Sequence, residues 1–174
     1  ALSALSTPDA MKEKYGSDYA PLPFAVGDGN HSLASAKAAY EEIKAKLATA
    51  IQFTVYGVPS VYYGDEAGIE GYRDPFCRLP YPWGREEASL VAHYKRLGKI
   101  RRENSDLLAT GEFSVECADG GLLCYRRSNE QGDIYVISNA ADEAAEYTLK
   151  GKWIDLLNGK TYGGKVGAIS AVIL

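Results

Sequence analysis

The chain is short of most features that announce a function by themselves. It has only two histidines, three cysteines and one methionine in 174 residues. No C-x-x-C or H-E-x-x-H spacing occurs, so no metal-ligand pattern is present. There is no G-x-S-x-G turn for a serine nucleophile and no glycine-rich phosphate loop ending in lysine. The formal net charge of −4 supplies no basic patch for nucleic acid or anionic membrane. No apolar run reaches the roughly 20 residues that a membrane-spanning helix needs. The N-terminal stretch ALSALSTPDAMKEK lacks a basic region ahead of a hydrophobic one, which argues against a signal peptide. It also lacks an initiator methionine, which suggests a piece of a longer protein. With Cys77 far from Cys117 and Cys124, the expectation is reduced thiols in a cytoplasmic setting. The latter two fall on adjacent strands of a predicted hairpin turning at 119–121. If Cys117 opposes Leu122, Cys124 opposes Val115 and the two sulfurs are diagonal, too far apart for an easy bridge.

What is present is an ordinary globular composition, 46% hydrophobic and 24% charged, with two textures along the chain. Residues 1–6, ALSALS, read as the tail of a buried strand that breaks at Thr7-Pro8-Asp9. Residues 11–31 carry Gly16, Pro21, Pro23, Gly27 and Gly29, and read as loop. From Ser32 apolar residues recur at helical steps (Ala36, Tyr40, Ile43, Leu47, Ala50, Thr54), and the charges fade towards 51–56. A helix over 32–56 stopped by Gly57 is expected, its second half buried nearly all round. Residues 58–63 are apolar without alternation, the pattern of a strand buried on both faces of a parallel sheet. A second helix is expected over 85–102, its stripe formed by Leu90, Val91, Tyr94, Leu97 and Ile100. His93 beside that stripe is read as packed or at the surface.

After Gly111 short runs alternate with turn residues: 113–118, 122–127, 134–138, 146–149, 153–157, 160–162 and 166–174. Such spacing predicts an antiparallel sandwich, with Asn158-Gly159 the sharpest hairpin signal. The boundary between the two textures falls within 103–110.

The chemically suggestive density lies in the loop after 58–63, where Asp65, Glu66, Glu70, Arg73, Asp74 and Arg78 are interleaved with aromatics. Carboxylates do the acid, base and nucleophile work of glycoside hydrolysis, and aromatic faces stack on sugar rings. Asp74 and Arg78 read equally well as a structural ion pair.

The segments GVPSVYYGDEAG and GYRDPFCRLPYPWG, with a helix ending in RRENSDLL, resemble the last barrel segment of the α-amylase family, glycoside hydrolase family 13. The likeness is greatest to its neopullulanase, maltogenic amylase and amylopullulanase members, and runs with specific motifs over about 47–110. The resemblance implies the C-terminal part of a (β/α)8 barrel over 1–104, followed by an antiparallel β-sandwich over 105–174. Residues 32–56 then correspond to the seventh helix, 58–63 to the eighth strand and 85–102 to the eighth helix. Asp74, Arg78 and Trp83 fall in the loop over the carboxyl ends of the strands and are candidate substrate-binding residues. The family's nucleophile and acid/base belong to the fourth and fifth strands, which this chain does not contain. Its third, transition-state carboxylate has two partial matches. Asp9, in Ser6-Thr7-Pro8-Asp9, is preferred, although Pro8 replaces a histidine and a plain turn or N-cap role is an equal reading. Asn30-His31-Ser32 keeps the histidine but has serine in place of the aspartate.

The implied function is α-glucan hydrolysis with retention in the parent enzyme, the isolated chain being inactive. The alternative is a non-catalytic carbohydrate-binding or structural module derived from the same fold. The expected partner is an α-glucan oligosaccharide or polysaccharide, with no nucleic acid and no membrane. No cofactor or metal is expected from the residues, though calcium occurs in the family. Apolar faces that a complete barrel would cover lead to an expectation of self-association.

Overall fold

The computed structural model describes residues 30–62, 64–69, 75 and 78–174, with side chains from residue 39 onward. Contacts divide the chain into Ala1–Ala39 and Tyr40–Leu174. Of the first, the described part is helix 30–39. The elements are α1 (Asn30–Gln52), a single 3₁₀ turn (Asp65–Ala67), α2 (Ala88–Glu103) and α3 (Ser105–Thr110). Eight strands follow: β1 (Glu112–Asp119), β2 (Leu122–Asn129), β3 (Gly132–Asn139), β4 (Ala145–Glu146), β5 (Ile154–Asp155), β6 (Lys160–Thr161), β7 (Lys165–Val166) and β8 (Ser170–Ile173). β1-β2-β3-β8 form a four-stranded sheet, and β4-β7 and β5-β6 are two-stranded ladders. Every pairing is antiparallel.

The β2 and β3 strands of the main sheet are buried on both faces, and side-chain alternation sorts their residues between two cores. Tyr125, Ile134, Val136 and Ile173 join Ala50 and Phe53 of α1, Leu97 and Ile100 of α2, and Leu107 and Leu108 of α3. Their immediate neighbours Cys124, Ile137 and Leu174 point the other way, onto Val166 of β7 and the partly buried Tyr147, Leu149, Trp153 and Tyr162. The first core runs across position 104/105, joining the helices to the sheet.

Both expected helices form, ending at Gln52 and Glu103. α1 stops short of the expected Tyr56. Phe53 and Val55 still bond back to Thr49 and Ile51, at 3.0 Å each, in a closing turn before Gly57 at φ 99°. α2 begins at an N-cap, Glu87, whose side chain accepts from the backbone N–H of Ser89. α3 was not anticipated. The sequence SDLLAT offers a single helical turn's worth of pattern, but its two leucines insert into the core and hold it.

The expected strand at 58–63 is corrected. Residues 58–62 form no strand, and Val58, Val61 and Tyr62 are 92%, 42% and 69% exposed. A barrel strand is buried and hydrogen-bonded by the strands beside it. Among the described residues none lies alongside this one. What ties the segment down is Gln52, whose Nε2 donates to the Ser60 carbonyl at 2.8 Å.

Two hairpin registers also differ from the sequence reading. The β1–β2 loop is the two-residue Gly120-Gly121, with φ 54° and 88°, the positive pair that a type I′ turn requires. Asp119 therefore opposes Leu122, and Cys117 opposes Cys124 directly instead of diagonally. A bulge between Val115 and Cys117 absorbs the extra residue, Glu116. The β5–β6 pair closes at Asp155↔Lys160, so its loop is 156–159 and longer than Asn158-Gly159 alone. Asp155 causes this: its carboxylate accepts from the N–H groups of Leu157 (3.0 Å) and Ile173 (3.2 Å) and from Asn158 Nδ2, fixing the turn. Leu156 and Leu157 are drawn against the helical core instead of extending the strand.

Candidate functional site

The loop between α1 and α2 is pinned to α2 at its middle. The 3₁₀ turn is closed by Gly64 and Gly68, both at positive φ (86° and 75°). A Cβ on Gly64 would sit 2.3 Å from Ile69 Cδ1, so this position needs glycine for space as well as for conformation. Tyr62 N–H donates to Asp65 Oδ2 at 3.0 Å, and Glu87 N–H to the Ala67 carbonyl at 3.1 Å. Tyr94 of α2 packs edge-on to Phe53, with ring centroids 5.9 Å apart. Burial, then the charges of Asp65 and Glu66, push its phenol up to about 12. Glu66 Oε2 is buried and has no hydrogen-bond partner among the described residues.

Downstream of this anchor the segment 78–85 stands on the surface. Trp83 is 81% exposed, and its ring lies 4.6 Å from that of the half-buried Tyr81, at 51°. Burial and the nearby Glu66 and Glu86 raise the Tyr81 phenol, so it is a neutral hydroxyl at any ordinary pH. Ala67, Ile69, Leu79, Pro80, Pro82 and Arg85 line a cavity of about 370 Å³ under this segment. The arrangement is an apolar shelf with an aromatic pair beside it and carboxylates behind, suited to the face and rim of a sugar ring.

Of the four residues expected at the site, Asp9 and Asp74 lie outside the described residues. Arg78 is exposed on the surface segment, its N–H bonded to the Pro75 carbonyl at 3.2 Å. Trp83 lies on the same segment, separated from Arg78 by the residues that line the cavity. Tyr81 was missed from the sequence. The signal was its spacing of two from Trp83 across a proline, where a tight turn with Trp83 N–H on the Tyr81 carbonyl at 2.9 Å brings the two rings together. Among the described residues, no three His, Cys, Asp or Glu side chains gather to hold a metal ion. Among them too, no helix is long and apolar enough to cross a membrane.

A second cavity, of about 360 Å³, lies between α1, α2 and the turn before β8, lined by Ile43, Lys46, His93, Leu157 and Ile169. His93 Nε2 is 3.0 Å from the Lys46 carbonyl, which can only accept, so that nitrogen carries the proton. Burial holds its pKa below 6.5, against the hydrogen bond to the Lys46 carbonyl, which raises it. The ring is therefore a neutral packing group, as the sequence reading had it. A depressed histidine pKa makes the unfolded chain the better proton acceptor. Stability should be intact above about pH 6.5 and decline as pH falls below it. In His93→Gln, which keeps a donor for Lys46, the urea midpoint should fall less on acidification than in the parent chain. An unchanged slope would show that His93 does not couple to folding.

No family profile matches the chain. Individual relatives do. An amylopullulanase of Thermoanaerobacter thermohydrosulfuricus is 34% identical over 142 residues, 71% of this chain and 10% of its own length. A cyclomaltodextrinase of Thermoanaerobacter pseudethanolicus is 41% identical over 96 residues, 54% of this chain and 17% of its own. Among solved structures, the maltogenic amylase of S. marinus matches with a TM-score of 0.67 and 30% identity, covering 76% of this chain and 19% of that one. The chain thus spans between a tenth and a fifth of the length of these relatives. Its homologues are amylase-type glycoside hydrolases, in agreement with the resemblance carried by its motifs.

Proposed function

We propose that this chain, homologous to α-amylase-type glycoside hydrolases, is the C-terminal part of one. It would supply the end of a (β/α)8 barrel over 1–104 and a β-sandwich over 105–174. The parent enzyme hydrolyses α-glucosidic bonds in α-glucans with retention, in the cytoplasm. The observation that carries this reading is the partial-length similarity to amylopullulanase and cyclomaltodextrinase. The exposed Trp83, paired with Tyr81, supports it, since an aromatic face can stack on a glucose ring. In this reading Trp83 stacks on a sugar, Arg78 and Asp74 bond its hydroxyls, and Asp9 is the transition-state carboxylate. The nucleophile and the acid/base lie on strands outside the chain, which is inactive alone.

Titration with maltooligosaccharides tests the sugar surface. Trp83→Ala should weaken binding by about 1 kcal/mol, roughly fivefold, the usual worth of one aromatic stack. Equal affinity in the two proteins would remove Trp83 from the site.

Pro8 in place of the family's histidine favours a second reading, a non-catalytic carbohydrate-binding or structural module. The upstream reading frame separates the two. A strand with Arg-x-Asp and a later strand bearing the acid/base Glu belong to the enzyme, and the absence of both belongs to the module.

The bare segment carries a further expectation. Tyr56, Val58 and Tyr62 are all more than half exposed, an apolar set that the remainder of a barrel would cover. The isolated chain should associate with itself, giving a light-scattering mass above 18.8 kDa. A monomer at every concentration would contradict that.

A further inference from the structure

The two-residue Gly120-Gly121 turn places Cys117 opposite Cys124 across β1 and β2. Directly opposed residues of an antiparallel pair point to the same face of the sheet. Both sulfurs accordingly belong to the second core cluster, Cys124 fully buried and Cys117 half-buried at its rim. Opposed Cα atoms in such a ladder are about 4.5–5.5 Å apart, within the roughly 4.4–6.8 Å that a disulfide spans. Opposed Cβ atoms must draw together by about 1 Å to bond. The bulge at Glu116, next to Cys117, interrupts the ladder there and gives the backbone room for that movement.

We propose that Cys117 and Cys124 form a dithiol site, which a low-molecular-weight disulfide of the glutathione type converts to an intramolecular disulfide. The half-buried Cys117 is the thiol that such a molecule can reach, and the buried Cys124 is the resolving one. The Cys117 thiolate attacks one sulfur of the reagent, forming a mixed disulfide and expelling one thiol. The Cys124 sulfur then gives up its proton and attacks the Cys117 sulfur, expelling the second. Two S–H bonds are lost and one S–S bond forms in the protein. The reagent's S–S bond is reduced to two thiols, so protons and the electron pair balance. The Tyr147 phenol, packed in the same cluster as Cys124, favours the Cys124 thiolate and so eases the second step. Burial and the Glu116 carboxylate otherwise keep the Cys124 thiol protonated, which leaves initiation to Cys117.

The test uses the full chain carrying Cys77→Ser, which removes the third thiol. The protein is incubated with oxidised glutathione, alkylated in denaturant, digested and mapped by mass spectrometry. The expected product is a peptide pair linked Cys117–Cys124, with both cysteines protected from alkylation together and released together by dithiothreitol. Cys124→Ser should instead retain glutathione on Cys117, at about tenfold higher occupancy than the intact pair, because no neighbour at millimolar effective concentration removes it. Cys117→Ser should leave Cys124 unmodified. Circular dichroism of both variants checks that each keeps the sheet. The proposal is overturned by a glutathione adduct that persists on Cys117 of the intact pair, by bridges only between chains, or by two thiols that stay open to alkylation.

Discussion

Arg127→Ala should lower the stability of the chain by about 3–5 kcal/mol, as orphaned carbonyls and a cavity add together. Arg127 is fully buried. Its Nη1 donates to the Thr54 carbonyl at 3.1 Å and its Nη2 to the Gly111 carbonyl at 2.9 Å. The guanidinium lies over the Tyr56 ring at 4.2 Å. Arg101 reaches the same place from α2, its Nη1 on the Phe53 carbonyl at 2.7 Å and its Nη2 on that of Gly57. Among the described residues neither guanidinium is paired with a carboxylate. What they face is the C-terminal end of α1, where carbonyls lack helical partners and the macrodipole is negative. Arg127 thereby joins the sheet to the helix. Removing it leaves the Thr54 carbonyl buried without this donor and empties the space against the Tyr56 ring. Arg127→Lys keeps the charge but not the two-pronged geometry, and should fall between alanine and the parent. The check is the urea midpoint at constant slope. A loss below about 1 kcal/mol would mean the pair of arginines does not hold the layers together.

The second large effect concerns catalysis. The isolated chain should cleave no α-glucan, however well it binds one. Retaining hydrolysis needs two carboxyl groups about 5–5.5 Å apart, one as nucleophile and one as acid/base. The acid/base alone is worth about 10²–10⁴ in rate, and without the nucleophile no glycosyl-enzyme forms. The family resemblance assigns those groups to the fourth and fifth barrel strands and leaves this chain Asp9. On that assignment a single carboxylate, even well placed, only stabilises a charge that the two other groups would generate.

How far the sequence revealed this follows from which signals are local. The period of three and four in α1 and α2 survives into the structure because each helix buries its own stripe. The short runs of β2, β3 and β8 are buried without alternation, and the strand period of two only sorts their residues between two cores. The same period placed Arg127 on the face of Leu123 and Tyr125, so its burial was legible in principle. A charged residue reads as solvent-facing until the carbonyls that receive it are known, and one of them, that of Thr54, lies 73 residues away in sequence. The Cys117–Cys124 register turned on loop length. Two glycines in succession carry the type I′ signal, but centring the turn on 119–121 and setting Cys117 against Leu122 shifted the pairing from the observed Cys117↔Cys124. Asp155 moved the neighbouring hairpin through side-chain bonds that strand patterns do not encode. Residues 58–62 mark the opposite limit. Their apolar run reads as a strand buried between others, and no described part of this chain provides such neighbours. At the candidate site the motif located the loop and Trp83, while the pairing with Tyr81 emerged only from the fold.

The most direct test of the central claim is a hydrolysis assay on the purified 174-residue chain. Maltooligosaccharides and pullulan are incubated with it, and the products are separated against a mock preparation. The account predicts bound substrate and no new reducing ends. Products that accumulate in proportion to the chain, and vanish in Asp9→Asn, would contradict it by showing that the cutting groups lie within these residues.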